Sequence, residues 1–138
     1  MDKIRVWGAV ATTEVDKNGN QIIPACLKAI AENTELPILI LDEFLPEAKV
    51  GIVDKLWTLE ENGITKLMAE MILLDRVKAA VVPCYTIDWD DIERLPDGTK
   101  VISSARITQF GLTAMPADSN CYLKVYDGES SMDSISVA

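Results

Sequence analysis

Histidine is missing from the 138 residues of this chain. Its absence excludes the usual zinc sites, the Ser-His and Cys-His nucleophile pairs, and a side chain that changes charge near neutral pH. Cysteine is scarce. Cys26, Cys84 and Cys121 are odd in number and far apart, with no Cys-x-x-Cys pair, so neither a disulfide framework nor a thiolate cluster is written in the sequence. Free thiols fit a reducing compartment. Long apolar runs are missing too. Apolar runs such as residues 36–41 are too short to cross a bilayer, and Met1-Asp2-Lys3 leads into a strand-like segment with no signal-peptide pattern. Basic charge is in deficit, with 13 Lys and Arg against 22 Asp and Glu and a net charge of −9. No basic cluster offsets it, so no direct contact with nucleic acid and none with a membrane is expected. The charge suits solubility and recognition of a basic partner surface.

What is present reads as one folded domain, residues 1–126, and an acidic, Ser-rich tail, residues 127–138. Apolar residues make up 49% of the chain and charged ones 25%, a globular rather than a disordered composition. Residues 3–10 alternate as a half-buried strand. Asp16-Lys17-Asn18-Gly19-Asn20 is a turn centred on Asn18-Gly19. Pro24 opens a helix whose apolar stripe is Cys26, Leu27, Ile30 and Ala31, with Asn33 as its stop. Residues 36–41 form a short strand and residues 42–48 an acidic loop. Residues 50–59 and 64–73 are strands joined at Glu61-Asn62-Gly63. Residues 74–80 are expected to be a short helix. Residues 81–87 are a buried strand with Pro83 marking an edge or a bulge. Residues 89–94 make a turn of helix, residues 100–103 a strand, and residues 121–126 the last strand. The fold class is mainly β with flanking helices (α+β), about seven strands arranged as a compact barrel.

One stretch carries more than periodicity. In residues 105–122, Phe110, Leu112 and Ala114 recur at period two, Gly111 admits a close approach or a bulge, and Pro116-Ala117-Asp118 stops the strand. The run from Gln109 to Asp118 resembles the signature strand of the tailed-phage prohead (capsid maturation) serine proteases. Around it, Trp7-Gly8-Ala9-Val10 is similar to the family's opening strand, Asn62-Gly63-Ile64 to its hairpin, and Val82-Pro83-Cys84-Tyr85 to its nucleophile motif. The resemblance spans residues 7–123. It implies a barrel like that of prohead protease and herpesvirus assemblin. It places the catalytic histidine near residues 42–44, the serine at Val82 and the acidic member at Gln109. In this chain those slots, Phe44, Val82 and Gln109, hold no nucleophile and no base.

The resemblance therefore implies a catalytically inactive member. Such a protein would be a virion structural component of the capsid, for decoration, bridging or head assembly, present in host cytoplasm during assembly. Its partners would be the major capsid protein or other head proteins, with a homo-oligomer also compatible and no cofactor. Asp127, Glu129, Met132, Asp133, Ile135 and Val137 are the tail residues expected to contact a partner, the acids by charge and the apolar ones as small anchors.

Other constellations compete with that reading. Cys84 lies beside the serine slot and is a nucleophile only with a base; a buried thiol is inert. Ser103 and Ser104 pair with Lys100 or Lys124 in a displaced Ser-Lys arrangement, or simply face solvent. Either would make the chain an active maturation protease. Asp88, Asp90, Asp91 and Glu93, and the turn at residues 16–20, are solvated acidic surface or hard-cation ligands, but Leu27 stands where a calcium loop wants glutamate. Trp7, Trp57 and Trp89 suit core or interface anchors. A host-directed regulator is a third class open to a small acidic protein.

Overall fold

The computed structural model describes residues 3–74, 80–87 and 89–125. Strand accounts for 55% of the described residues, and one ten-residue helix is the main exception. In chain order the elements are β1 (Ile4–Thr12), β2 (Asn20–Ile22), α1 (Pro24–Asn33), β3 (Ile38–Asp42), β4 (Lys49–Glu61), β5 (Ile64–Leu73), β6 (Ala80–Ile87), a 3-10 turn (Trp89–Asp91), β7 (Glu93–Arg94), β8 (Lys100–Ile102), β9 (Ala105–Thr113) and β10 (Lys124–Val125). The expected helix across residues 74–80 falls largely on residues outside those described.

Seven strands form one curled sheet in the order β10-β1-β5-β4-β3-β9-β6. Its pairs are antiparallel except β3 with β9, which run parallel with Ile40 opposite Phe110 and Asp42 opposite Leu112. The β4–β5 hairpin turns at Asn62 and Gly63, both at positive φ (54° and 78°), as a two-residue type I′ turn requires. Helix α1 begins at Pro24, whose missing N–H costs nothing in the first turn, and lies against β4, β5 and β9. Cys26, Leu27 and Ile30 of α1 join Val6, Ile40, Val53, Met71, Val81, Phe110 and Leu112 in the main core. Phe110 and Leu112 thus share the core with Ile40, Val53 and Val81.

Several expectations are corrected. The compact barrel is a curled half-barrel, open between its edges. Strand β6 returns alongside β1, yet the two are not hydrogen-bonded neighbours. The reason is local. The bonding edge of β1 is already used by the chain after β9, because Tyr122 N–H donates to the Ala9 carbonyl (3.1 Å) and Thr12 N–H donates to Asp118 Oδ2 (3.0 Å). Pro83 in β6 has no N–H to offer in return. Strand β1 is buried on both faces from Val6 to Thr12 rather than half-buried, since Trp7 and Ala9 lie under Trp57, Leu59, Met68 and Tyr122 on the outer face.

The strand count rises to ten among the described residues; the expected strand at residues 100–103 is found as β8, and β2 and β7 join it in a second sheet of three very short strands. The last strand shrinks to Lys124–Val125, paired with Val6 and Trp7; Tyr126 lies outside the described residues. Residues 121–123 instead run close beneath β1, where a methyl group on Gly8 would overlap the Tyr122 carbonyl. Strand β9 ends at Thr113, short of Pro116. Thr113 Oγ1 accepts the Met115 N–H (3.1 Å), and this side-chain bond turns the backbone before proline is reached. Strand β6 is a half-exposed edge strand rather than a buried one, with a register shift between Cys84 and Tyr85 just after Pro83.

Candidate functional site

The three slots converge. Val82 on β6 is registered opposite Gly111 on β9, and Cys84 opposite Gln109, so Val82, Cys84, Gln109 and Gly111 share the face of the sheet away from the core. The loop after β3 delivers Phe44 to the same place. Glu43 and Phe44 both take positive φ (50° and 62°), and Glu43 N–H donates to the Leu112 carbonyl (2.9 Å). That geometry lays the Phe44 ring over Gly111, where any added methyl group would overlap it. Gly111 is thus a seat for a ring. An aromatic ring, an isopropyl group and a carboxamide occupy this spot, and none of the three removes a proton from a hydroxyl at neutral pH.

Cys84 is half-buried, a correction to the fully buried thiol expected, and its carbonyl accepts the Thr108 hydroxyl (3.4 Å). Ser103 and Ser104 are exposed in the short connection between β8 and β9. Lys124 lies on β10, with Nζ 5.5 Å from the centre of the Trp7 ring and 5.8 Å from that of Tyr122. Trp7 is buried at the core of the outer-face cluster and meets Tyr122 edge-on at 6.0 Å, whereas Trp89 is 54% exposed and anchors nothing in the core. Of the acidic group near residue 90, Asp88 lies outside the described residues. Among those described, no three His, Cys, Asp or Glu side chains are placed to hold a metal ion. The Asp16 carboxylate is engaged by its own turn: Oδ1 accepts the N–H groups of Asn18 (2.8 Å) and Asn20 (3.0 Å). The tail residues Asp127, Glu129, Met132, Asp133, Ile135 and Val137 also lie outside the described residues.

Next to the slots is a cleft of about 350 Å³ in the seam between β1 and β6. Phe44 and Val82 form part of its wall, Val10 and Ile22 another, and Glu14, Asp16 and Asp118 also line it. Two residues that line it, Tyr85 and Asn20, each carry a polar atom that is covered by protein, away from the opening, and has no hydrogen-bond partner: the Tyr85 hydroxyl and Asn20 Oδ1. Tyr85 as a residue is half-exposed, so its exposure lies on the rest of the ring and not at the oxygen. Burial pushes the Tyr85 hydroxyl well above its ordinary pKa, and the carboxylates of Asp118 and Asp16 push it further. The Cys121 thiol, also in the wall, is raised strongly by burial and then by Asp118, which keeps it protonated and unreactive. Cys26 is raised by burial as well, against a bond from the Ala105 backbone that lowers it.

Asp118 is the residue the sequence reading left without a task. Its Oδ2 accepts both the N–H (3.0 Å) and the hydroxyl (2.5 Å) of Thr12, and its Oδ1 accepts the Asn120 N–H (3.0 Å). Ala117 next to it accepts the Lys17 N–H (3.0 Å). The Pro-Ala-Asp turn therefore ties the exit of β9 to the end of β1 and to the turn before β2. The signal was available: an acceptor side chain just past a proline stop suits an unpaired strand edge. Tyr85 and Asn20 had no such signal, because their convergence depends on how the sheet curls.

No protein-family model and no curated protein matches the chain. Among the described residues, no helix is long and apolar enough to cross a membrane.

Proposed function

We propose that this chain is a non-catalytic structural component of a tailed-phage particle, built on a prohead-protease-like scaffold and attached to the head as a decoration, bridging or assembly protein. The observation that carries the reading is the ring of Phe44 seated on Gly111 beside Val82. Those are the positions to which the resemblance assigns histidine and serine, and here they are filled by a hydrocarbon contact. A serine hydroxyl needs a base and the base an orienting partner, and a chain with no histidine lacks the family's base. The signature's acidic end supports the same reading, because Asp118 is occupied in fastening β1. The mainly β, curled half-barrel sheet is the part of the expected fold that is observed, and kinship with the barrel of prohead protease and herpesvirus assemblin is part of the proposal.

Attachment falls to the acidic surface and to residues 127–138, whose Asp127, Glu129 and Asp133 complement a basic receiving surface on the major capsid protein or another head protein. The direct test is incubation of the purified chain with the shell and scaffold proteins of the same phage. The proteins should remain intact. Cleavage that disappears in Cys84→Ala or Ser104→Ala would replace this reading with an active protease using a displaced nucleophile.

A further inference from the structure

We propose that the outer face of the curled sheet is the docking surface for the C-terminal segment of this same chain, residues 126–138. The proposal is independent of the virion reading. The surface is a row of side chains across four strands. Arg5 on β1 is registered opposite Ile72 on β5, Ile72 opposite Ile52 on β4, and Ile52 opposite Leu39 on β3, so the four are cross-strand neighbours. The residues next to them in the chain, Val6, Met71, Val53 and Ile40, are in the main core, so the row points away from it. Leu39 is 45% exposed, and Leu74, two residues beyond Ile72, is 37% exposed. Among the described residues, Leu39, Ile52, Ile72 and Leu74 belong to neither apolar cluster. An uncovered apolar strip rimmed by polar residues marks a contact surface.

Charge and position name the occupant. In a chain of net charge −9, cations rim this strip: Lys3 and Arg5 at one end, Lys55 on β4, and Lys49, which sits opposite Leu41 on the same face as Leu39. Glu70 and Asp54 answer Arg5 (3.3 and 3.5 Å) and Glu70 also answers Lys55 (3.4 Å), whereas Lys3 and Lys49 have no ion pair among the described residues. Residues 126–138 carry Asp127, Glu129 and Asp133, no lysine or arginine, and the apolar Met132, Ile135 and Val137. The acids match the rim and the apolar side chains match the strip. Position agrees. Strand β10 runs antiparallel to β1 with Val125 opposite Val6, so the described chain ends beside Arg5 and heads toward Lys3. From β10 across β1, β5 and β4 to β3 is four strand spacings, about 19 Å in all. Met132, seven residues past Val125, reaches about 23 Å when extended, which spans the row as far as Leu39. Tethering holds the segment at an effective concentration of about millimolar, so a weak contact suffices. Carboxylates held there are withdrawn from any other protein.

The test uses the full chain. A carbodiimide, which joins a carboxylate to an amine in contact with it, is applied to an equal mixture of unlabelled and nitrogen-15-labelled chains, and the coupled peptides are read by mass spectrometry. Asp127, Glu129 and Asp133 should couple to Lys3, Lys49 and Lys55 within one chain, severalfold more than to Lys17, Lys28 or Lys100. The yield should fall severalfold on raising the salt to about 0.5 M, because the attraction is between exposed charges. Coupling spread evenly over all the lysines would overturn the proposal. So would coupling chiefly between labelled and unlabelled chains, which would give the surface to the segment of a second copy. Leu39→Glu sets a carboxylate in the strip at an exposed position, so the fold should hold while coupling to Lys49 and Lys55 falls severalfold. Methyl NMR gives a second readout. Replacing Asp127, Glu129 and Asp133 together by Asn, Gln and Asn should shift the methyl resonances of Leu39, Ile52 and Ile72 and leave those of Ile40 and Val53 in place. Unmoved resonances in the strip, or coupling unchanged by Leu39→Glu, would equally contradict the proposal.

Discussion

Asp118 fastens a strand edge that would otherwise lie open. The Thr12 N–H sits at the last residue of β1, beyond the reach of β10, and the carboxylate satisfies both it and the neighbouring hydroxyl. Hydrogen bonds to a charged acceptor contribute about 1.5–3 kcal/mol, and a buried donor left unmatched costs a similar amount. Asp118→Ala should therefore lower stability by about 1.5–3 kcal/mol in urea titration, with a smaller loss for Asp118→Asn, which keeps one acceptor. An unchanged midpoint in Asp118→Ala would mean that the turn holds without its side chain. Residue-scale facts of this kind were the least legible in the sequence. Pro116 announced the end of the strand, but Thr113 ends it first with a side-chain bond that leaves no periodic trace. Phe44 was marked as a slot, but the positive φ of Glu43 and Phe44 that brings its ring onto Gly111 has no signature in residues that seldom adopt it.

The long elements were legible because each has enough residues to declare a period. Helix α1 has its proline at the start and its stripe at Cys26, Leu27 and Ile30, and the β4–β5 hairpin has Asn-Gly at its tip. Of the small sheet only β8 was legible, as the strand at residues 100–103; β2 and β7 have three residues or fewer, and alternation over so short a span is indistinguishable from a loop. Nor could the pattern of β1 show that its outer face is covered, because the residues that cover it come from β4, β5 and the chain after β9. Strand β9 tests the element scale. It is bonded on both sides, parallel to β3 and antiparallel to β6, and Leu112 is 3% exposed in the core. Leu112→Ala should cost about 2–5 kcal/mol by chemical denaturation, the range for truncating a buried leucine. Leu39→Ala on neighbouring β3, where the side chain is 45% exposed, should stay within about 0.5 kcal/mol. Equal effects at the two positions would mean that β9 is not the strand around which the core is built.

At the scale of the molecule, two properties point outward. The net charge of −9 repels phosphate and favours basic protein surfaces. The exposed Leu45, Trp89 and Met115 leave apolar side chains in loops, where contacts with other proteins are commonly made. The curled sheet supplies a body for such contacts, and the positions to which the proposed resemblance assigns a triad hold Phe44, Val82 and Gln109. A maturation enzyme is needed in catalytic amounts, whereas a decorating or bridging protein must accompany the shell. Quantitative mass spectrometry of purified particles measures that difference directly. The account predicts this chain in the finished particle at a copy number comparable to that of the major shell protein. Its absence from purified particles would contradict the account.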